Sequence, residues 1–255
     1  LEMRLVLITQ NERIFLSKTI DYFLRRLNPS DEVVGVVVLE TSPFGKRMSL
    51  FKKITSTLNI FGYKFVLRYL IDLIKITISC KDVLSVLKRN KINIIKLHES
   101  INSNQSLDIL NKLDADLFIS ISGNEIFKKK LIDIPHHGTI NLHSALLPKY
   151  RGLMPSFWVL KNKEKQTGVT VFFVDEGIDS GPILVQKKLL LGELSQWRLI
   201  EITKYLGIEA IIEAIDLIRS NNITLIDNDS SEATYYSFPS KQDVAEFKKN
   251  GGKFF

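Results

Sequence analysis

Asn141 and His143 lie two residues apart in Gly138-Thr139-Ile140-Asn141-Leu142-His143. β-Branched residues leading into an alternating pair read as a β-strand. Residues two apart on a strand share a face, so the carboxamide and the imidazole are expected to point one way and Leu142 the other, into apolar packing. A neutral donor beside a titratable group suits a tetrahedral oxyanion and the proton traffic around it. Further on, Asp175-Glu176-Gly177-Ile178-Asp179-Ser180-Gly181-Pro182 offers a carboxylate, Asp179, in a glycine-rich turn. Alone, Asn-x-His is a weak signal, and two side chains that merely satisfy each other at a strand end is the alternative reading.

The elements that must position these groups can be read from periodicity. Residues 4–9, 33–39, 92–97 and 116–122 are apolar runs of the kind expected of strands covered on both faces. Helical patterns fall between them: residues 11–26 with Asn11 as N-cap, a short helix over 81–91, and 106–113. Strand and helix alternating in this way predict an α/β fold, a doubly wound and mostly parallel sheet. Ligands of such sheets collect at the carboxyl ends of the strands, where residues 122–127 and 141–144 both lie. No G-x-G-x-x-G follows the first strand, so a dinucleotide site of that type is not supported. A helix over 154–162 precedes two strands, 167–174 and 183–191, whose short link predicts an antiparallel pair. A long helix is expected over 195–222, then a strand over 223–226. Ser240 opens a last helix, with Asp243 at capping-box distance, and the tail 250–255 is expected to be loose.

Residues 43–79 break the alternation. They are basic and aromatic, with Lys52, Lys53, Lys64, Arg68 and Lys75 against one acid, Asp72. The stretch is read as two helices broken near 59–62 and packed on the sheet edge with its lysines in water. That reading is preferred over a membrane-surface or RNA-facing insertion. The chain is thus expected to comprise a core over 3–191, with a helical insertion about 43–79, and a C-terminal helix with a short extension over 192–255.

Composition is that of an ordinary globular protein, and the net charge of +7 fits an anionic small molecule as well as nucleic acid. The single cysteine, Cys80, excludes an internal disulfide, and a reducing cytoplasmic setting is the simplest expectation. The four histidines are too scattered for a zinc-ligand pattern, so no metal is expected. No signal-peptide pattern or membrane-spanning apolar run is present, so no stable membrane insertion is expected.

The order Asn-x-His, then Leu146-Leu147-Pro148-Lys149-Tyr150-Arg151-Gly152, then Asp-Ser-Gly-Pro-Ile resembles the formyltransferases that use 10-formyltetrahydrofolate, most closely the nucleotide-sugar N-formyltransferases. The resemblance is dense from about residue 114 to 190. It implies a Rossmann-like formyltransferase core and a cytoplasmic, folate-dependent transferase with Asn141, His143 and Asp179 as catalytic groups. It also implies that the folate lies along Asn124, Glu125, Ile126 and Phe127, with Asp175 and Gly177 nearby. For the acceptor, the resemblance and the aromatic residues suggest Lys149, Tyr150, Arg151, Tyr235, Tyr236 and Phe238. Phe172 departs from a position that is often polar in the family.

The expected acceptor is a nucleotide-linked amino sugar of surface-polysaccharide (O-antigen) synthesis, such as a dTDP-4-amino-4,6-dideoxy sugar. The expectation rests partly on the short segment after Leu191, which leaves no room for the barrel domain of the transfer RNA enzymes. A methionyl-tRNA formyltransferase-like enzyme and a formyltetrahydrofolate hydrolase are the alternatives. No nucleic-acid partner is expected, and a homodimer is left open.

Overall fold

The structure is a computed structural model that describes residues 2–40, 50–78 and 82–255. Residues 43–49 and 79 of the expected insertion, and Lys81 of the expected short helix, lie outside the described residues. Among the described residues, seven strands form one sheet: β1 (Arg4–Gln10), β2 (Glu32–Leu39), β3 (Ile94–Ile95), β4 (Leu117–Ile121), β5 (Thr139–His143), β7 (Gln166–Phe173) and β8 (Ile183–Leu190). Their order is β3-β2-β1-β4-β5-β7-β8, parallel as far as β5 and antiparallel from β5 to β7 and β7 to β8. This is the expected α/β architecture. A separate two-stranded parallel ladder pairs β6 (Arg151–Gly152) with β9 (Tyr235–Tyr236).

Strand alternation divides the core between the two sheet faces. Leu5 and Leu7 of β1, with Leu117, Ile119 and Ile121 of β4, join one apolar cluster. Val6, Ile8 and Phe118 join the other. The first cluster is closed by α1 (Leu16–Arg26), α4 (Val83–Arg89) and α8 (Gln196–Arg219). The second is closed by residues of α5 (Asn104–Asn111) and α6 (Lys129–Ile132). In α8 the buried Ile208, Ala210, Ile211, Ala214, Ile215 and Ile218 face the sheet. Gly207 lets this helix approach β5 closely. A Cβ there would come within 2.5 Å of Leu142, the residue between Asn141 and His143.

Several local expectations are corrected. Asn11 does not cap α1; the Glu12 carboxylate accepts from the amides of Ile14, Phe15 and Leu16 and supplies the missing acceptor. Residues 223–226 form only one antiparallel bridge, Ile226 to Ile183, because the chain leaves the edge strand at once. The expected third strand shrinks to Ile94–Ile95. The last helix, α9 (Lys241–Lys249), carries the capping box between Ser240 and Asp243.

The tail is not loose. The amides of Gln196 and Trp197, at the start of α8, bond the carbonyls of Lys253 and Phe254, and Phe254 is buried. The insertion forms α2 (Leu50–Phe61) and α3 (Tyr63–Ile78), broken at Gly62 with φ +87°. It docks on the C-terminal segment rather than the sheet edge. Phe61 and Phe65 meet Phe254 at 5.6 and 5.3 Å, and Lys248 donates to the Phe61 carbonyl. The missed signal was aromatic pairing between segments far apart in sequence.

Gly207→Val is expected to lower stability by about 1–3 kcal/mol, because the added methyls collide with Leu142. Chemical denaturation of Gly207→Val and the parent checks the value.

Candidate active site

β5 ends where the parallel part of the sheet ends, and its two polar residues follow the expected alternation. Leu142 faces α8, while Asn141 and His143 take the other side of the strand. Asn141 lies in register with Ser120 and Phe172, and His143 with Thr170. Phe172 is buried with Leu147 and Ile183 in a small apolar cluster, so this departure from the family pattern acts as packing beside Asn141. Asn141 is half-buried, and among the described residues no hydrogen bond engages its carboxamide.

His143 is buried, and both ring nitrogens are engaged by the chain. Nε2 lies 2.7 Å from the Tyr150 carbonyl, and Nδ1 lies 3.5 Å from Asp179 Oδ2. A carbonyl only accepts, so the Tyr150 contact assigns a proton to Nε2 and leaves Nδ1 toward the carboxylate. The imidazole is the middle member of a carboxylate–imidazole–carbonyl array.

Asp179 is fixed from three directions. Its Oδ2 accepts from the Gly152 amide at 2.8 Å, and its backbone adopts φ 51°. The buried Asn228 donates to the carbonyls of Asp179 and Gly181, and accepts from Arg151 Nη2. Asp175 accepts from the Gly177 amide and the Ser180 hydroxyl, so these residues shape the turn that presents Asp179. On the other strand of the site, the Thr170 hydroxyl donates to the Ala145 carbonyl and accepts from the Leu147 amide. Gln186 donates to the Leu147 carbonyl. Leu147–Pro148 is cis.

The other residues expected at the site divide by burial. Tyr150 is buried, stacks on Tyr236 at 5.2 Å and donates to Glu164 at 2.6 Å. Burial, then this bond, push its phenol well above the ordinary range. Arg151 is buried against Asn228. Tyr236 is sandwiched between Tyr150 and Trp158, with its hydroxyl on Asn162. These three side chains build the site instead of lining open space. Lys149, Tyr235 and Phe238 are exposed. The Tyr235 ring lies against Gly152, where a Cβ would meet it at 2.8 Å, so it borders the loop that holds Asp179.

In the loop after β4, Phe127 is core, and Glu125 accepts from the Ser100 hydroxyl and the Ile101 amide. Asn124 donates to the Glu40 carbonyl, and Ile126 is exposed. What this loop can offer a flat ligand is therefore backbone and the Ile126 side chain.

Lys204 had no sequence signal, lying in the apolar repeat of α8. It donates to the Ser122 hydroxyl at the carboxyl end of β4, where Ser122 adopts φ 60°. Burial pushes its ammonium down to about 8, partly opposed by Glu12. Asn228 was likewise missed, because its partners are backbone groups distant in sequence. Among the described residues no group of three or more His, Cys, Asp or Glu could hold a metal ion, and no helix is long and apolar enough to cross a membrane.

Residues 76–215 match the formyl transferase family, and the chain belongs to that family of formyl-transferring enzymes. Methionyl-tRNA formyltransferase of Thermodesulfovibrio yellowstonii is 39% identical over 156 residues, covering 61% of this chain and 48% of the relative. The enzyme of the same description from Thermotoga maritima is 36% identical over 158 residues, covering 60% and 49%. The chain thus spans about half the length of the curated relatives it matches, so the shortness of the segment after β8 does not decide the acceptor. Solved structures share the fold. Phosphoribosylglycinamide formyltransferase from Anaplasma phagocytophilum has a TM-score of 0.64 at 16% identity, covering 93% of this chain and 100% of that one. An N-formyltransferase from Helicobacter canadensis, in complex with folinic acid and dTDP-3-aminofucose, has a TM-score of 0.57 at 20% identity, covering 94% and 72%.

The lowered Lys204 ammonium gives a pH prediction. Between about pH 8 and 10.5 the unfolded chain holds a proton there that the folded chain has released, so this group makes folding more favourable as pH rises through that window. Lys204→Met should be more stable than the parent at pH 7, with a smaller gain on going to pH 10. Thermal melts of both proteins across this range check the sign.

Proposed function

We propose that the protein transfers a formyl group from 10-formyltetrahydrofolate to the primary amine of a nucleotide-linked amino sugar. The reading is carried by one observation: the Asp179–His143–Tyr150 carbonyl array, 3.5 and 2.7 Å across its two contacts, beside the unengaged carboxamide of Asn141 in a chain of the formyl transferase family.

The amine attacks the formyl carbon, a new C–N bond forms, and negative charge develops on the formyl oxygen. Asn141 donates to that oxyanion without changing charge. Asp179 and His143 Nδ1 take up the proton that the amine loses. The resulting imidazolium donates from Nε2 to the Tyr150 carbonyl and from Nδ1 to the Asp179 carboxylate, so its charge is held in a largely dry place. The proton then passes to the folate nitrogen as its bond to the formyl carbon breaks. Folate binding is assigned to the loop from Asn124 to Phe127, chiefly through its backbone, with the Asp175–Gly177 turn closing the other side.

Two features support a nucleotide-linked acceptor. Tyr235 and Phe238 are exposed aromatic rings, and Tyr235 borders the Asp179 loop, where it can stack on a base. Lys149, exposed in the same turn, can meet a diphosphate. The N-terminus of α1, a common place for a terminal phosphate, is filled by Glu12, which disfavours a simple phosphomonoester there. The second reading, transfer to methionyl-tRNA, is favoured by the 39% identity to an enzyme of that description.

Mass spectrometry can follow the gain of one formyl group on a panel of dTDP-linked 3- and 4-amino sugars, the free amino sugars and methionyl-tRNA. The expected result is transfer to a nucleotide-linked sugar, with the free sugar far slower because base stacking and diphosphate contacts orient the amine. Transfer to methionyl-tRNA alone would replace this acceptor with the second reading. Asn141→Ala, His143→Ala and Asp179→Ala should each stay folded and lose at least about a hundredfold in kcat. Tyr235→Ala should act mainly on KM for the acceptor.

A further inference from the structure

Helices α2 and α3 present an apolar face that nothing among the described residues covers. On α3, Tyr63, Leu67, Leu70, Ile71 and Ile74 recur at steps of three and four, so they share one side of the helix. They are 41% to 69% exposed, and Ile54 and Leu58 extend the face on α2 at 41% and 44%. The opposite side of α3 is spent on the protein itself, where Phe65 stacks between Phe61 and Tyr69, and burial pushes the Tyr69 phenol up to about 12. The hairpin therefore has two apolar sides and only one of them has a partner.

Charge selects what the open side meets. Lys64, Arg68 and Lys75 follow one another along the margin of the stripe, at helical angles next to Tyr63, Leu67 and Ile71. The helices carry five basic residues, Lys52, Lys53, Lys64, Arg68 and Lys75, and one acid, Asp72, which pairs with Arg68 and Lys75. A second copy docked on this face would bring two basic margins together. An RNA backbone would use the cations and leave the leucines and isoleucines in water. An anionic lipid surface uses both: the acyl boundary takes Leu67, Leu70 and Ile74, and the headgroups take Lys64 and Lys75. We propose that the α2–α3 hairpin is a peripheral docking surface for anionic membranes and lies in the plane of the headgroups. At 16 residues α3 is about 24 Å long, and it lies on the bilayer rather than spanning it. This reverses the expectation that the insertion is merely packed with its lysines in water, and it stands independently of the acceptor.

The test is flotation of the full chain with vesicles of equimolar phosphatidylcholine and phosphatidylglycerol, against vesicles of phosphatidylcholine alone. The protein should float with the anionic vesicles and much less with the neutral ones, and raising salt from about 0.1 M to about 0.5 M should weaken the association. Leu67→Ser with Ile74→Ser, and separately Lys64→Gln with Lys75→Gln, should each cut the bound fraction about tenfold. Both pairs are exposed, so circular dichroism melts should match the parent. Equal flotation with both vesicle types, or none, overturns the proposal. A dimer by light scattering that Leu67→Ser with Ile74→Ser dissolves assigns the face to a second copy. RNA binding lost in the lysine pair but kept in the serine pair assigns the cations to nucleic acid. Capture of an acidic protein without any vesicle binding assigns the face to a protein partner.

Discussion

The site depends on holding the Asp179 carboxylate between the Gly152 amide and the His143 ring. The two segments that meet there are joined by loops the backbone does not favour. Tyr150, Met154 and Asp179 take φ of 62°, 49° and 51°, and Gly152 takes 93°. For non-glycine residues such a conformation costs of order 1 kcal/mol or more and persists only where surrounding bonds over-determine it. Those bonds are present. Thr234 accepts from the Tyr150 amide, Asn228 ties the Asp179 loop to Arg151, and the β6–β9 ladder pins Arg151 and Gly152 to Tyr235 and Tyr236. The C-terminal segment thus acts as the clamp that keeps the Tyr150–Met154 turn and the Asp179 loop in their left-handed geometry.

Beneath the clamp, the two-sided core fixes where β5 ends. Leu142 touches α8 at Gly207, and this contact sets how deeply the strand sits. His143 then falls under the Tyr150 carbonyl and Asn141 stays half-open. The aromatic cluster around Phe157, Trp158, Phe247 and Phe254 joins the insertion, the tail and the Tyr150 turn in one packed unit. The tail thus packs in the same apolar cluster as Tyr150, whose carbonyl meets His143.

The parallel part of the sheet, the antiparallel pair and the place where Asn141, His143 and Asp179 gather were legible in the sequence, because each leaves a local trace. Alternation marked the strands, a short link marked the hairpin of β7 and β8, and Asn-x-His with a distant Asp in a glycine-rich turn marked the polar residues that meet at the candidate site. What was not legible depends on partners far along the chain. Tyr150, Arg151 and Tyr236 looked like ligand contacts because they are aromatic or charged and adjacent to the site, yet the Tyr150 and Tyr236 hydroxyls and Arg151 Nη2 are engaged by Glu164, Asn162 and Asn228. Asn228 and Lys204 gave no signal, since a buttress that bonds backbone carbonyls or a lone hydroxyl has no motif. Glu12 displaced Asn11 as the cap because a longer side chain reaches three amides at once.

The central claim is that Asp179 and His143 act as one proton-handling unit beneath Asn141. A double-mutant cycle measures that directly. With kcat for formyl transfer determined in the parent, His143→Ala, Asp179→Ala and the double variant, groups that act as a unit give a double variant about as impaired as the worse single one. Losses that multiply, with the double variant slower by the product of the two single effects, would contradict the account.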